Sequence, residues 1–108
     1  MAKNVSSNGK VAGMVISSNP AVLLSITISN LSASAQYIQL HDAASAPANG
    51  AVPKISVYWP ANTSAQLEWI ASDGRDFSTG IYVCNSSTDA TKTLGAADLM
   101  LDAQVRGA

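Results

Sequence analysis

A chain of 108 residues, 47% hydrophobic and only 12% charged, fits one domain that buries roughly 60–70% of its unfolded surface. Its surface must then be Ser, Thr, Asn, Gln and Ala, or be covered by a partner. The formal net charge of -1, with Lys3, Lys10, Lys54, Arg75, Lys92 and Arg106 scattered along the chain, argues against counterion-release binding of nucleic acid, and a lone cysteine (Cys84) and a lone histidine (His41) exclude an internal disulfide and the common Cys/His zinc patterns.

Two-residue alternation runs through most of the chain and points to strands. Met1–Lys10 is polar around a single valine, Val5, and reads as a flexible amino-terminal arm ahead of one domain over 11–108. It has no apolar run of the secretory kind, and no stretch reaches the roughly 18 apolar residues of a membrane span. A weaker strand is expected over Val11–Ser17. In the plainest alternation Val22, Leu24, Ile26 and Ile28 form the expected inward set, with Leu23, Ser25, Thr27 and Ser29 between them and Asn30 at the end. Next, Gln36, Ile38 and Leu40 share one face and Tyr37, Gln39 and His41 the other, before the turn formers Pro47, Asn49 and Gly50.

Ile55, Val57 and Trp59 alternate with Ser56 and Tyr58 between Pro53 and Pro60, which cannot donate to a central ladder. Beyond the polar turn Asn62-Thr63-Ser64, Leu67 and Trp69 oppose Gln66, Glu68 and Ile70, and Ser72-Asp73-Gly74-Arg75-Asp76 is a strong turn signal. Gly80–Cys84 is apolar on both faces, with Ile81 and Val83 opposite Tyr82 and Cys84. That is the pattern of a central strand covered on both sides, or of one with a face in an interface. After the turn Ser86-Ser87-Thr88-Asp89, the last strand alternates Leu99, Leu101, Ala103 and Val105 with Met100, Asp102, Gln104 and Arg106.

Helix competes only over 61–70 and 95–104, where Pro60, Asn62 or Asp98 could start one. Strand is preferred for both, because β-branched and Ser/Thr-rich runs pack better on a pleated surface. About seven strands with short turns, and at most one short helical turn, predict an all-β fold: a β-sandwich of jelly-roll or immunoglobulin-like type.

Few residues suggest chemistry. His41-Asp42 is the one pair that offers a base, and adjacent strand residues point to opposite faces, so Asp42 is badly placed to orient His41. Cys84 lies inside a strand, where free cysteine is a small buried hydrophobe. Asp73, Asp76 and Asp89 lack the dense spacing of a calcium loop, and Gly74-Arg75-Asp76, a tripeptide found in some adhesion ligands, is what a tight connection needs for its backbone. The sequons at Asn4, Asn30, Asn62 and Asn85 follow from a composition rich in Asn, Ser and Thr and are read as turn and surface residues. No catalysis, metal or cofactor is expected.

What remains is aromatic and polar surface. Tyr37, Tyr58 and Tyr82 fall opposite the best apolar sets, and tyrosine brings large contact area with little rotamer entropy to lose. With Gln39 and His41 they form the expected protein-docking surface. Trp59 and Trp69 lie on the inward pattern and are expected in the core.

The run Tyr37-Ile38-Gln39-Leu40-His41-Asp42-Ala43, then Pro47 and Gly50-Ala51-Val52-Pro53, then Phe77-Ser78-Thr79-Gly80-Ile81, then Ser87-Thr88-Asp89-Ala90-Thr91 resembles small β-rich structural proteins of tailed bacteriophages. The likeness covers about residues 30–93 and departs at His41, where another aromatic residue is expected. It implies a virion component present in many copies, most often a capsid decoration or cement protein that binds the major capsid protein and other copies of itself, with a trimer favoured. Nucleic acid and membrane are not among the implied partners. The implied location is the capsid surface, after synthesis in the host cytoplasm, and Met1–Lys10 would order on neighbouring subunits. A tail, neck or baseplate protein is the alternative, and a carbohydrate- or receptor-binding module that uses Trp59 or Tyr58 as a stacking platform is the second.

Overall fold

A computed structural model of the chain describes residues 2–69 and 72–107. Among these residues there are nine strands and no helical element: β1 (Ala2–Ser6), β2 (Gly13–Ser17), β3 (Ala21–Asn30), β4 (Gln36–His41), β5 (Ile55–Trp59), β6 (Thr63–Glu68), β7 (Arg75–Phe77), β8 (Ile81–Ser86) and β9 (Leu99–Arg106). The expected strands are present, and two are added. β1 lies in the expected arm, and β7 begins at Arg75 and Asp76, which had been assigned to the turn.

Two antiparallel sheets face each other. The first has the order β1-β9-β3-β6, with β7 pairing the same edge of β3 as β6 does, and the second has the order β2-β8-β4-β5. If β6 and β7 are counted as one interrupted strand, the first strand pairs the last, the second the second-last, the third the third-last, and β4 its neighbour β5. That nested pairing is the double Greek key of a jelly roll. An immunoglobulin sandwich has its last strand at a sheet edge; here β9 is central, between β1 and β3.

The core lies between the sheets. β9 contributes Leu99, Leu101, Ala103 and Val105, all buried, while Met100, Asp102 and Gln104 face solvent. β4 and β8 contribute Ile38, Leu40, Ile81 and Val83, all fully buried. Trp59 is 4% exposed, and Trp69 is half-buried against the same cluster. Ile70 lies outside the described residues.

The inward set of β3 differs from the expected one. Leu23 and Ile26 are both fully buried, although they are three residues apart, because the register with β9 shifts between Leu23 and Ser25. Leu24 is the extra residue of a β-bulge. The core set is therefore Ala21, Leu23, Ile26 and Ile28, and Val22 and Leu24 are half-buried on the other side. At the bulge the neighbour of β3 also changes, from β6 along Ser25–Asn30 to β7 along Ala21–Leu23. Asp73 (φ 61°) and Gly74 (φ 100°) turn the chain there. A Cβ at Gly74 would stand 2.2 Å from Val22 Cγ1, so both the backbone angle and the space require glycine.

The amino-terminal segment is also a correction. Ala2–Ser6 pairs β9 in register from Ala2↔Arg106 to Ser6↔Asp102, and Val5 packs on the core. Without β1, β9 would present an unpaired edge, a position that folded chains cover. Asn8 (φ 52°) and Gly9 (φ 141°) then turn the chain, and Val11 bridges Leu99 of β9 before the chain enters β2 of the second sheet.

Candidate functional site

The two sheets present very different outer faces. That of the first sheet is open. Ser6, Asp102, Thr27 and Gln66 form one cross-strand row, and Asn4, Gln104, Ser25 and Glu68 the next. Beside them Met100 is 43% exposed, and the Ser64 hydroxyl donates to Ser29 Oγ at 2.8 Å. Amides and hydroxyls dominate these rows, with two carboxylates and no aromatic ring. A shallow groove runs between Asn4, Ser6, Thr27, Ser29 and Met100.

The outer face of the second sheet carries the expected docking residues, and the chain covers most of it with its own loops. Gln39 is fully buried, and His41 and Tyr82 are 3% and 4% exposed. They lie beneath segments 42–54 and 87–98, so they offer no open surface. Only Tyr58 is well exposed, at 60%; Tyr37 is half-buried beside it, with the rings edge to face at 5.9 Å and 74°. Of the five residues expected at a docking surface, these two remain accessible. β8 is buried along its whole length, which selects the first of the two readings of its pattern, and Gly13 leaves room for Tyr82, whose hydroxyl would stand 2.3 Å from a Cβ there.

Hydrogen bonds explain the cover. The Gln39 amide nitrogen donates to the carbonyl oxygens of Thr88, Asp89 and Thr91 at 2.9, 3.1 and 3.0 Å, so its Oε1 is left to accept from His41 Nε2 at 3.1 Å. That pairing places the ring proton of neutral His41 on Nε2. Ser86 Oγ accepts from the N–H groups of Thr88 and Thr93. Lys92 is 4% exposed: its Nζ donates to the Pro47 carbonyl and lies 5.0 Å from the Tyr82 ring centroid. Lys92 is thus threaded between the two loops, and its main chain joins them again through Gly50 N–H to Lys92 O and Lys92 N–H to Ala51 O, both 2.8 Å.

The protonation states follow from this packing. Burial, and then the Lys92 charge, lower the His41 pKa from its ordinary 6.5. Burial pushes the Cys84 thiol up to about 11, with Lys92 pulling weakly the other way. Neutral His41 and protonated Cys84 are the forms that burial on this face favours.

Asp42 is turned elsewhere. Its carboxylate accepts from the N–H groups of Ser78, Thr79 and Gly80 and from the Ser78 hydroxyl. Burial raises its pKa, and these hydrogen bonds together outweigh that and hold it at about 2. It does not touch His41, in keeping with the alternation of the strand.

Two further buried amides act like Gln39. Asn30 Nδ2 donates to the Ser34 and Pro60 carbonyls, and Asn85 Nδ2 to the Ala96 carbonyl at 2.7 Å. Both asparagines are fully buried, so two of the four sequons are closed in the folded chain and serve to pin loops. As sequons they are expected to be turn and surface residues, and the signal for burial is their place at strand ends beside long polar loops. Trp59, considered as a stacking platform, is in the core, and its Nε1–H donates to the Thr63 carbonyl at 3.1 Å. Among the described residues no three His, Cys, Asp or Glu side chains are grouped to hold a metal ion, and no helix is long and apolar enough to cross a membrane. Comparison with known proteins finds no matching family model, no matching curated protein and no matching solved structure.

Proposed function

We propose that this chain is a virion structural protein of a tailed bacteriophage, and within that class a capsid decoration or cement protein that binds the major capsid protein and stabilises the head. The observation that carries the reading is the open outer face of β1, β9, β3 and β6: a broad sheet surface of Asn, Ser, Thr and Gln that carries few charges and no deep cavity. Such a face has groups for hydrogen bonding to another protein surface and little ionic desolvation to overcome. Repetition over a lattice lets modest contacts add. The resemblance over about residues 30–93 supports the phage assignment, and the jelly roll is an architecture that capsid and lectin domains share, which is fold-level analogy.

The proposal moves the docking surface from the tyrosine-bearing second sheet to the first. Its partners are the major capsid protein and further copies of this chain, and its location is the outside of the particle after synthesis in the host cytoplasm. Quantitative mass spectrometry of purified particles tests it. A copy number comparable with the capsid lattice is the expected result. Tens of copies would assign the chain to the tail, neck or baseplate, and absence from particles would reject both. In a second test, Thr27→Arg combined with Gln104→Arg on the open face should abolish binding to stripped shells, while Tyr58→Ala should leave it intact.

A further inference from the structure

The loop-covered face of the second sheet holds a histidine, a lysine, a tyrosine and a cysteine in one buried cluster, with no acidic partner. The ion pair among the described residues joins Asp73 to Arg106 of β9, in the first sheet. We propose that Gln39, His41 and Lys92 form an acid-sensitive lock, which holds residues 87–94 over the sheet while His41 is neutral and releases them when His41 takes a proton. This inference does not depend on the capsid reading.

The geometry makes Gln39 the bolt. Its amide nitrogen grips three carbonyls of the 88–91 turn, and its oxygen is oriented by His41 Nε2 at 3.1 Å. Lys92, inside the same loop, reaches Pro47 across the Tyr82 ring, and that ring also flanks His41 at a centroid distance of 6.1 Å. The cation and the imidazole therefore share one aromatic neighbour.

The surroundings of His41 leave a second positive charge uncompensated. β8 supplies Tyr82 and Cys84, both with raised pKa and so neutral at ordinary pH. The first loop supplies Asp42, whose carboxylate is engaged by Ser78, Thr79 and Gly80, and Lys54, whose Nζ lies 5.4 Å from the Phe77 ring centroid. The second loop supplies Lys92 and Asp89, the latter exposed and in contact with Gln39 through its carbonyl. β5 contributes Ser56 and Tyr58, and the facing residues of β2 are Gly13 and Val15. A proton on His41 would thus add a second positive charge near Lys92, with no carboxylate facing it. Opening the loop admits water to both cations, and the strands of the core need not separate.

The sign follows from linkage. His41 in the opened state has its ordinary affinity for protons and in the closed state a lower one, so falling pH favours opening from about 6.5 downward. Hydrogen exchange resolved by residue, between pH 8 and pH 4.5, tests the lock. Protection factors in 87–94 should fall with pH below the point at which the opened state titrates, by at most about tenfold per pH unit, while those of Leu101 and Ala103 in β9 hold steady. His41→Gln, which keeps a donor and cannot be protonated, should flatten the profile. Lys92→Met, which removes a charge that lowers the closed-state affinity of His41, should shrink the pH-dependent fall while leaving its onset in place. The imidazole titration of the unmodified chain, followed by NMR, gives a reading that needs no variant, and loop release must track it. Loop protection that is independent of pH, an unchanged profile in His41→Gln, or loss of β9 protection in step with the loop would each overturn the proposal.

Discussion

The Asp42 carboxylate, at the end of β4, accepts the Thr79 backbone N–H at 2.8 Å and thereby ties the β7–β8 connection to the second sheet. With the Ser78 and Gly80 contacts it satisfies donors that the turn leaves free. Asp42→Ala should cost about 1 kcal/mol, since these charge-assisted bonds are partly solvated. The pH dependence distinguishes this role from simple packing. Because the folded pKa of about 2 lies below the ordinary 3.8, the contribution is present above about pH 4 and is lost as pH falls toward 2. Urea unfolding at pH 5 should therefore separate the wild type from Asp42→Asn, and at pH 2 the two curves should converge. A difference that persists unchanged at pH 2 would refute the assignment.

The bulge at Leu24 reverses the roles of two adjacent leucines. Leu23 is fully buried in the core and Leu24 is half-buried outside it. Leu23→Ala should lose about 2–5 kcal/mol, as buried leucines do, and Leu24→Ala about 1 kcal/mol or less, for the smaller area removed from water. Denaturant midpoints at constant m-value measure both. Simple alternation through Val22, Leu24 and Ile26 gives the opposite order.

Pairing of β1 with β9 makes Val5 part of the core and leaves Asn4 outside. Val5→Asp should lower stability by about 2 kcal/mol, from burial of a valine that is only partly exposed. Asn4→Asp, on the solvent side of the same strand, should stay within about 0.5 kcal/mol of the wild type. Thermal unfolding reads both, and equal, negligible effects would return the segment to a free arm.

Cys84 should be inert while the fold is intact. With its pKa pushed up to about 11 and its side chain buried, only on the order of one thiol in a thousand is ionised at pH 8. A disulfide reagent should therefore react at least about a hundredfold more slowly with the native chain than with the urea-unfolded one. Comparable rates would show that the face beneath the loops is open.

Local pattern determined much of this molecule. Leu99, Leu101, Ala103 and Val105 point inward as their alternation requires, because successive side chains on a strand point to opposite faces. The faces of β4 and β5 and the burial of Trp59 were legible for the same reason, whereas the two apolar faces of β8 left cover and interface as alternatives that the loops decide. The position of Tyr37, Tyr58 and Tyr82 opposite the apolar sets is local in the same sense.

The tertiary structure decided what alternation cannot express. A bulge at Leu24 adds one residue on one strand, and it becomes visible only against the register of β9. The polar face of β4 became interior because residues distant in sequence, Thr88, Asp89 and Thr91, fold back over Gln39. Which outer face stays open is therefore a matter of where long loops close. In this chain they cover the tyrosine-bearing sheet and leave the Ser, Thr and Gln rows of β1, β9, β3 and β6 open.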